Sequence, residues 1–164
     1  MGRVGLCSCQ QNRNPDLMSR YEILLIRFGL IYLVLTGALG LFLMIRPEFG
    51  PFFRLTHAHL GFVGFFLSLV MGVAFWLLPR PGGIRQPGPT AAVFYLLNSG
   101  VILRSIAEPF WRAGGPDYTQ WLSVTGGLLQ LGAMTVFAVA MSRRVMTPEQ
   151  IQKARQKARL GDGD

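Results

Sequence analysis

The sequence contains few of the side chains that carry enzymatic chemistry. Its 164 residues include two histidines, two cysteines and eight acidic residues, and charged residues make up 15% of the chain. We find no nucleophile–base pair, no pair of carboxylates and no glycine-rich phosphate loop, the features that indicate an active site. The cysteines, Cys7 and Cys9, form no disulfide framework, and a single C-x-C motif is weak support for a metal or acylation site.

Long apolar runs make up most of the chain. Hydrophobic residues are 51% of the sequence, and the mean hydropathy is +0.37. Four runs approach or exceed the roughly 17–25 residues that a helix needs to cross a bilayer. We predict an all-α integral membrane protein in which residues 21–145 form an up-down bundle of four transmembrane helices, at about 23–45, 57–78, 91–108 and 120–141.

Both ends of the chain are polar. Residues 1–17 lack the apolar core of a signal peptide, and Met18 is an alternative translation start. We expect residues 1–20 to be a disordered tail, because chain termini commonly are. Residues 146–164 are basic and begin with a pattern that resembles a helix capping box, which predicts a cytoplasmic tail with a short helix.

The net charge of +8 is distributed as in a membrane protein rather than a nucleic-acid-binding protein. Cytoplasmic flanks of membrane helices carry an excess of Lys and Arg. With the N-terminus inside, the inner segments hold eleven basic residues and the outer loops hold three. We therefore expect both termini in the cytoplasm, in a multi-pass protein of the inner (cytoplasmic) membrane whose surroundings are lipid. His57 then lies near the outer face.

The two histidines, His57 and His59, precede the apolar run of the second predicted helix. Side chains two positions apart on an α-helix point to nearly opposite faces, so these imidazoles cannot chelate one ion together. Below His59 the residues are bulky, as lipid accepts. Below His57 the 3.6-residue period places a strip of small residues, which suits a close neighbour: Gly61, Gly64, Ser68 and Gly72.

This strip has two interpretations from the residues alone. The first is packing against another helix, with His57 hydrogen-bonded to that neighbour. The second is a haem whose porphyrin lies against the glycines and whose iron is bound by His57, since haem iron takes an imidazole as axial ligand. An ionisable side chain inside a membrane span is by default a candidate functional residue.

Two arginines are candidates for contact with an anionic group near His57. Arg104 lies within the third predicted helix, four residues before Glu108, and a buried arginine in lipid must find an anion. Glu108 is one such anion, and a haem propionate is the alternative. Arg54, shortly before His57, is the second candidate.

The stretch RLTHAHLGFVGFFLSLVMGVAFWLLPR, which ends at Arg80, resembles the second helix of subunit I of the haem–copper oxidases, a family that includes nitric oxide reductases. The segment GGLLQLGAMTVFAVAMSRR is also similar to short, four-helix relatives of that subunit. The resemblance implies that His57 is an axial ligand of a haem, which we take as b-type, with Arg54 or Arg104 near a propionate. Gly61, Gly64 and Ser68 would then line the cofactor.

The chain also departs from that family. The catalytic subunit has about a dozen helices and needs several further histidines for its second haem and its copper, whereas only His59 remains here. The chain alone cannot assemble the oxygen-reducing centre. A sixth iron ligand would come from another subunit, from a symmetry mate or from a methionine such as Met134, or would be absent and leave a position for a gas.

Three hypotheses follow. The first is a haem-binding membrane protein for respiratory electron transfer, for oxygen or nitric oxide handling, or for haem delivery. The second is a non-catalytic accessory subunit that packs into a larger membrane complex or forms a homo-oligomer. The third is a transporter or channel, which has the least support because the spans carry few polar residues.

Overall fold

A computed structural model of the chain describes residues 19–78, 87–142 and 144. Residues 1–18 and 146–164 of the predicted tails, which include Cys7, Cys9, Met18 and the predicted short helix, lie outside this part of the chain, as does Arg80. Within it, four helices are long and apolar enough to cross a membrane. Every regular element there is helical.

The first helix, α1, spans Arg20–Ile45 and begins three residues before the predicted span. Ser19 is its N-cap. The Ser19 hydroxyl accepts a hydrogen bond from the backbone N–H of Glu22 at 3.3 Å, and the Glu22 carboxylate accepts one from the backbone N–H of Ser19 at 2.7 Å. This capping box satisfies two backbone donors of the first turn and fixes where the helix starts.

The second span is a continuous rod, Pro47–Leu77, that we call helix two. It comprises a 3₁₀ turn (Pro47–Phe49), α2 (Gly50–His59), a π-helical segment (Leu60–Leu67) and α3 (Ser68–Leu77). It begins ten residues before the predicted span. Proline is tolerated in the first turn of a helix, where its missing N–H has no partner to lose, so the prolines at 47 and 51 start the helix rather than prevent it.

The remaining spans are α4, Pro87–Arg112, and α5, Asp117–Ser142. The helix continues beyond residue 108, where the predicted third span ends, since Pro109 lies inside α4. α1 and helix two are antiparallel, since a Cβ added at Gly40 would touch His57 and one added at Gly72 would touch Leu25. We call the end of the bundle that holds His57 the histidine end.

The closest helix packing is between α4 and α5. A Cβ added at Gly100 would lie 2.7 Å from the carbonyl oxygen of Gly126, and one added at Gly126 would lie 3.0 Å from the carbonyl oxygen of Gly100. Small residues of this kind let two membrane helices bring their backbones together. The α4–α5 pair is therefore held by direct backbone contact.

The core between the spans is apolar and aromatic. Phe75 of α3 is fully buried and packs edge-on against Phe137 of α5, with ring centroids 5.4 Å apart. Arg144 covers this end of the core, since its Nη1 donates to the carbonyl oxygen of Phe75 at 3.2 Å. In contrast, only 11% of the residues in the apolar stretch of α1 are buried, which is compatible with contact to a lipid bilayer.

Candidate functional site

His57 lies against α1. A Cβ added at Gly40 would be 3.0 Å from Cε1 of the His57 ring and 3.8 Å from Nε2. The Nδ1 atom of His57 is enclosed and has no hydrogen-bond partner among the described residues. A buried polar atom without a hydrogen-bond partner lowers the stability of a fold, so such atoms are rare in native proteins and call for an explanation.

His59 has a different environment. Its Nδ1 lies 2.9 Å from the carbonyl oxygen of Leu55, one turn earlier. Because the carbonyl oxygen can only accept, this contact favours the tautomer with the hydrogen on Nδ1, in which the lone pair is on Nε2. Histidines that bind metals usually have this arrangement, with the second nitrogen donating to a carbonyl or carboxylate. By this criterion His59 is prepared for ligation and His57 is not.

The strip of small residues on helix two, which we call the glycine face, is covered by α1. A Cβ added at Gly61 would lie 3.1 Å from Cγ2 of Thr36, and one added at Gly64 would lie 2.9 Å from Cγ of Tyr32. The contact is mutual further along, because a Cβ added at Gly29 would lie 3.5 Å from Cβ of Ser68. The glycine face thus serves helix packing within the chain.

A hydrogen bond fixes α1 in this position. The Tyr32 hydroxyl donates to Oδ1 of Asn98 on α4 at 3.0 Å, and Nδ2 of Asn98 donates to the carbonyl oxygen of Phe94 at 2.8 Å. Both side chains are buried. Because Tyr32 also contacts the glycine face, this bond links α1, helix two and α4 at one depth.

These contacts test whether a haem fits the predicted site. An imidazole at the histidine end is chemically suited to bind haem iron. A porphyrin lying flat on the glycine face is not compatible with the structure, since Thr36 and Tyr32 occupy that space. The imidazole fits as an iron ligand, whereas the predicted position of the porphyrin on the glycine face does not fit.

Arg104 faces α5 rather than α1. Its Nε lies 3.3 Å from Oε2 of Glu108, and a Cβ added at Gly127 would lie 3.4 Å from its Nη1. Glu108, which is 2% exposed, also has its Oε1 3.5 Å from Nε of Arg112. Glu108 is therefore an anionic partner for Arg104, and Arg112 is a second arginine that the sequence reasoning missed.

Arg54 lies in a third place. It lines a surface recess of about 530 Å³ together with residues of the first turns of helix two and with Arg112. The six predicted residues are thus divided: His57, Gly61, Gly64 and Ser68 lie toward α1, Arg104 lies toward α5, and Arg54 lies at the surface.

Met134 lies too deep to be a sixth ligand for iron bound at His57. The Tyr32–Asn98 bond places Asn98 at the depth of Gly64, seven residues from His57 along helix two. A Cβ added at Gly132 would contact Leu96, so Met134 lies beyond the level of Asn98, away from the histidine end. At 1.5 Å per residue the separation along the bundle is on the order of 10 Å or more.

The chain matches no family model, no curated protein and no solved structure. Within the described ranges, no group of three or more His, Cys, Asp or Glu side chains could hold a metal ion. A haem needs only one or two protein ligands, so that result concerns multi-ligand metal centres.

Proposed function

We propose that the protein is a haem-binding membrane protein that serves respiratory electron transfer or the handling of oxygen or nitric oxide. An imidazole at the histidine end would be the axial ligand, and the resemblance to haem–copper oxidase subunit I selects His57. The supporting observation is the π-helical segment that begins directly after His59. Such segments are well under 1% of residues and occur frequently at functional sites.

In this proposal the porphyrin lies away from the glycine face. Gly37 is one turn before Gly40 on α1, and a Cβ added there would meet no atom within 4 Å. The exposed surface of α1 at Gly37 therefore has open space where the glycine face has none. A bound haem would supply the redox or gas-binding chemistry, and the chain's own contribution is to hold and orient the ligating ring.

We also propose the orientation and location of the protein. The excess of basic residues in the segments assigned to the inside favours cytoplasmic termini in an inner membrane, with the histidine end outermost. Since Met134 is distant, a second protein ligand to iron would come from a partner subunit or a second copy of this chain.

An absorption spectrum tests the proposal. Purified protein loaded with haem should show a Soret band that shifts on reduction. The band should be lost in His57→Ala and kept in His59→Ala. If only His59→Ala removes it, a haem is bound and the ligand is His59, as the hydrogen bond to Leu55 favours. If the loaded wild-type protein stays colourless, the proposal is wrong.

One observation favours a second candidate, a non-catalytic accessory subunit. The glycine face is filled within the chain, so it needs no cofactor to explain it. The exposed apolar side chains of α1, among them Val34 and Met44 at 70% and 82% exposure, would then contact lipid or another subunit. Colourless protein that co-purifies with a defined membrane partner would support this candidate over the first.

A further inference from the structure

A cluster of charged side chains lies at the histidine end, on the side of α4 that faces α5. Arg104, Glu108 and Arg112 follow one another at intervals of one turn on α4. They line a recess of about 250 Å³, which we call the arginine recess and which also includes Trp111, Gln120 and Ser123. The haem proposal uses none of these contacts.

The arginine recess has an excess positive charge and unused hydrogen-bond donors. The two carboxylate oxygens of Glu108 are directed at the Nε atoms of Arg104 and Arg112, at 3.3 and 3.5 Å. One carboxylate opposite two guanidinium groups leaves a net charge of one positive unit. A guanidinium has five N–H donors, and within the described part of the chain no hydrogen bond engages the Nη groups of the two arginines, so these remain for a further acceptor.

The surroundings indicate what that acceptor is. Gln120 and Ser123 add polar side chains from the first two turns of α5. The neighbouring aromatic side chains, Trp111, Tyr118 and Trp121, are exposed, as is typical of the level where lipid headgroups lie. The volume is below the 300–1,000 Å³ usual for sites that enclose a drug-sized molecule, so a small anionic group fits better than a large cofactor.

We propose that the arginine recess binds a phosphate group at the membrane surface, in the first place the headgroup phosphate of an anionic lipid. Glu108 orients the two guanidinium groups and offsets the repulsion between their charges. The phosphate oxygens accept hydrogen bonds from the Nη groups, the bidentate contact for which arginine is well suited. Arg54 increases the local positive charge, since it and Arg112 line the adjoining recess.

Binding to the full chain in detergent micelles tests this inference. The dissociation constants to compare are those of short-chain phosphatidylglycerol, of phosphatidylcholine and of inorganic phosphate at matched ionic strength. We expect phosphatidylglycerol to bind at least about tenfold more tightly than phosphatidylcholine. Arg112→Gln should weaken phosphatidylglycerol binding by about tenfold, because it removes charge-assisted hydrogen bonds.

Two further variants make the result decisive. Gln120→Glu adds a negative charge at an exposed position of the arginine recess and should also weaken binding. Arg46→Gln is the matched control, since Arg46 forms an exposed pair with Glu48 outside the recess, and it should leave binding unchanged.

Inorganic phosphate that binds as tightly as the lipid, with the same sensitivity to Arg112→Gln, would support the site and identify free phosphate as its ligand. Equal binding of both lipids, or wild-type affinity in both recess variants, would overturn the inference.

Discussion

Gly100→Leu is expected to push α4 away from α5 and to destabilise the bundle strongly. A Cβ at this position would lie 2.7 Å from the carbonyl oxygen of Gly126 and 3.1 Å from the backbone nitrogen of Gln130. These are backbone atoms, which cannot move aside as a flexible side chain can. Overpacking usually costs about 1–3 kcal/mol, and we expect a loss above about 3 kcal/mol for a leucine against backbone. Thermal unfolding in detergent, followed by circular dichroism, measures it.

Gly37→Leu is the matched control. Gly37 is exposed, and a Cβ there would have no atom within 4 Å. Leucine favours the helix over glycine by up to about 1 kcal/mol, so this variant should be as stable as the wild type or slightly more stable. Equal stability of the two variants would contradict the close α4–α5 packing.

Glu108→Gln is expected to have the second-largest effect on stability. The substitution removes the negative charge opposite Arg104 and Arg112, whose side chains are 25% and 37% exposed. Removing one partner of a buried ion pair costs about 3–5 kcal/mol, because the other charge is left without compensation. Solvent screens both arginines in part, so we expect about 2–3 kcal/mol for this site.

Glu48→Gln provides the comparison for that prediction. Glu48 pairs with Arg46 at 3.1 Å, and both side chains are more than half exposed. Exposed pairs contribute about 0–1 kcal/mol, so the melting temperature of this variant should stay near that of the wild type. A Glu108→Gln variant that melts together with Glu48→Gln would show that the Glu108 carboxylate is not buried between the two arginines.

The positions of the spans follow from the sequence, whereas several of their ends do not. Apolar length is a strong signal in a membrane protein, and the four predicted spans correspond to the four long helices. Pro47 and Pro109 both lie within helical segments, because a proline can start a helix or lie near its end as well as interrupt it. Ser19 and Glu22 do carry a readable signal for the start of α1.

The geometry of the candidate site was predictable only in part. The pattern below His57 indicates a face that needs a close neighbour, but one sequence does not identify that neighbour as α1. The pairing of Arg104 with Glu108 follows from their spacing, whereas Arg112 was missed because the predicted helix ended at residue 108. The π-helical segment has no signal that we recognise in the sequence.

The contact of α1 with the glycine face determines both the packing of the bundle and where a cofactor can bind, and a cysteine cross-link tests this contact directly. In a chain with Cys7 and Cys9 changed to serine, Thr36→Cys and Gly61→Cys should form an intramolecular disulfide on mild oxidation. A Cβ at Gly61 lies 3.1 Å from Cγ2 of Thr36, and a disulfide needs its Cβ atoms about 3.5–4.5 Å apart. Gly37→Cys with Gly61→Cys should not cross-link. Efficient cross-linking of the second pair, or none of the first, would contradict the arrangement.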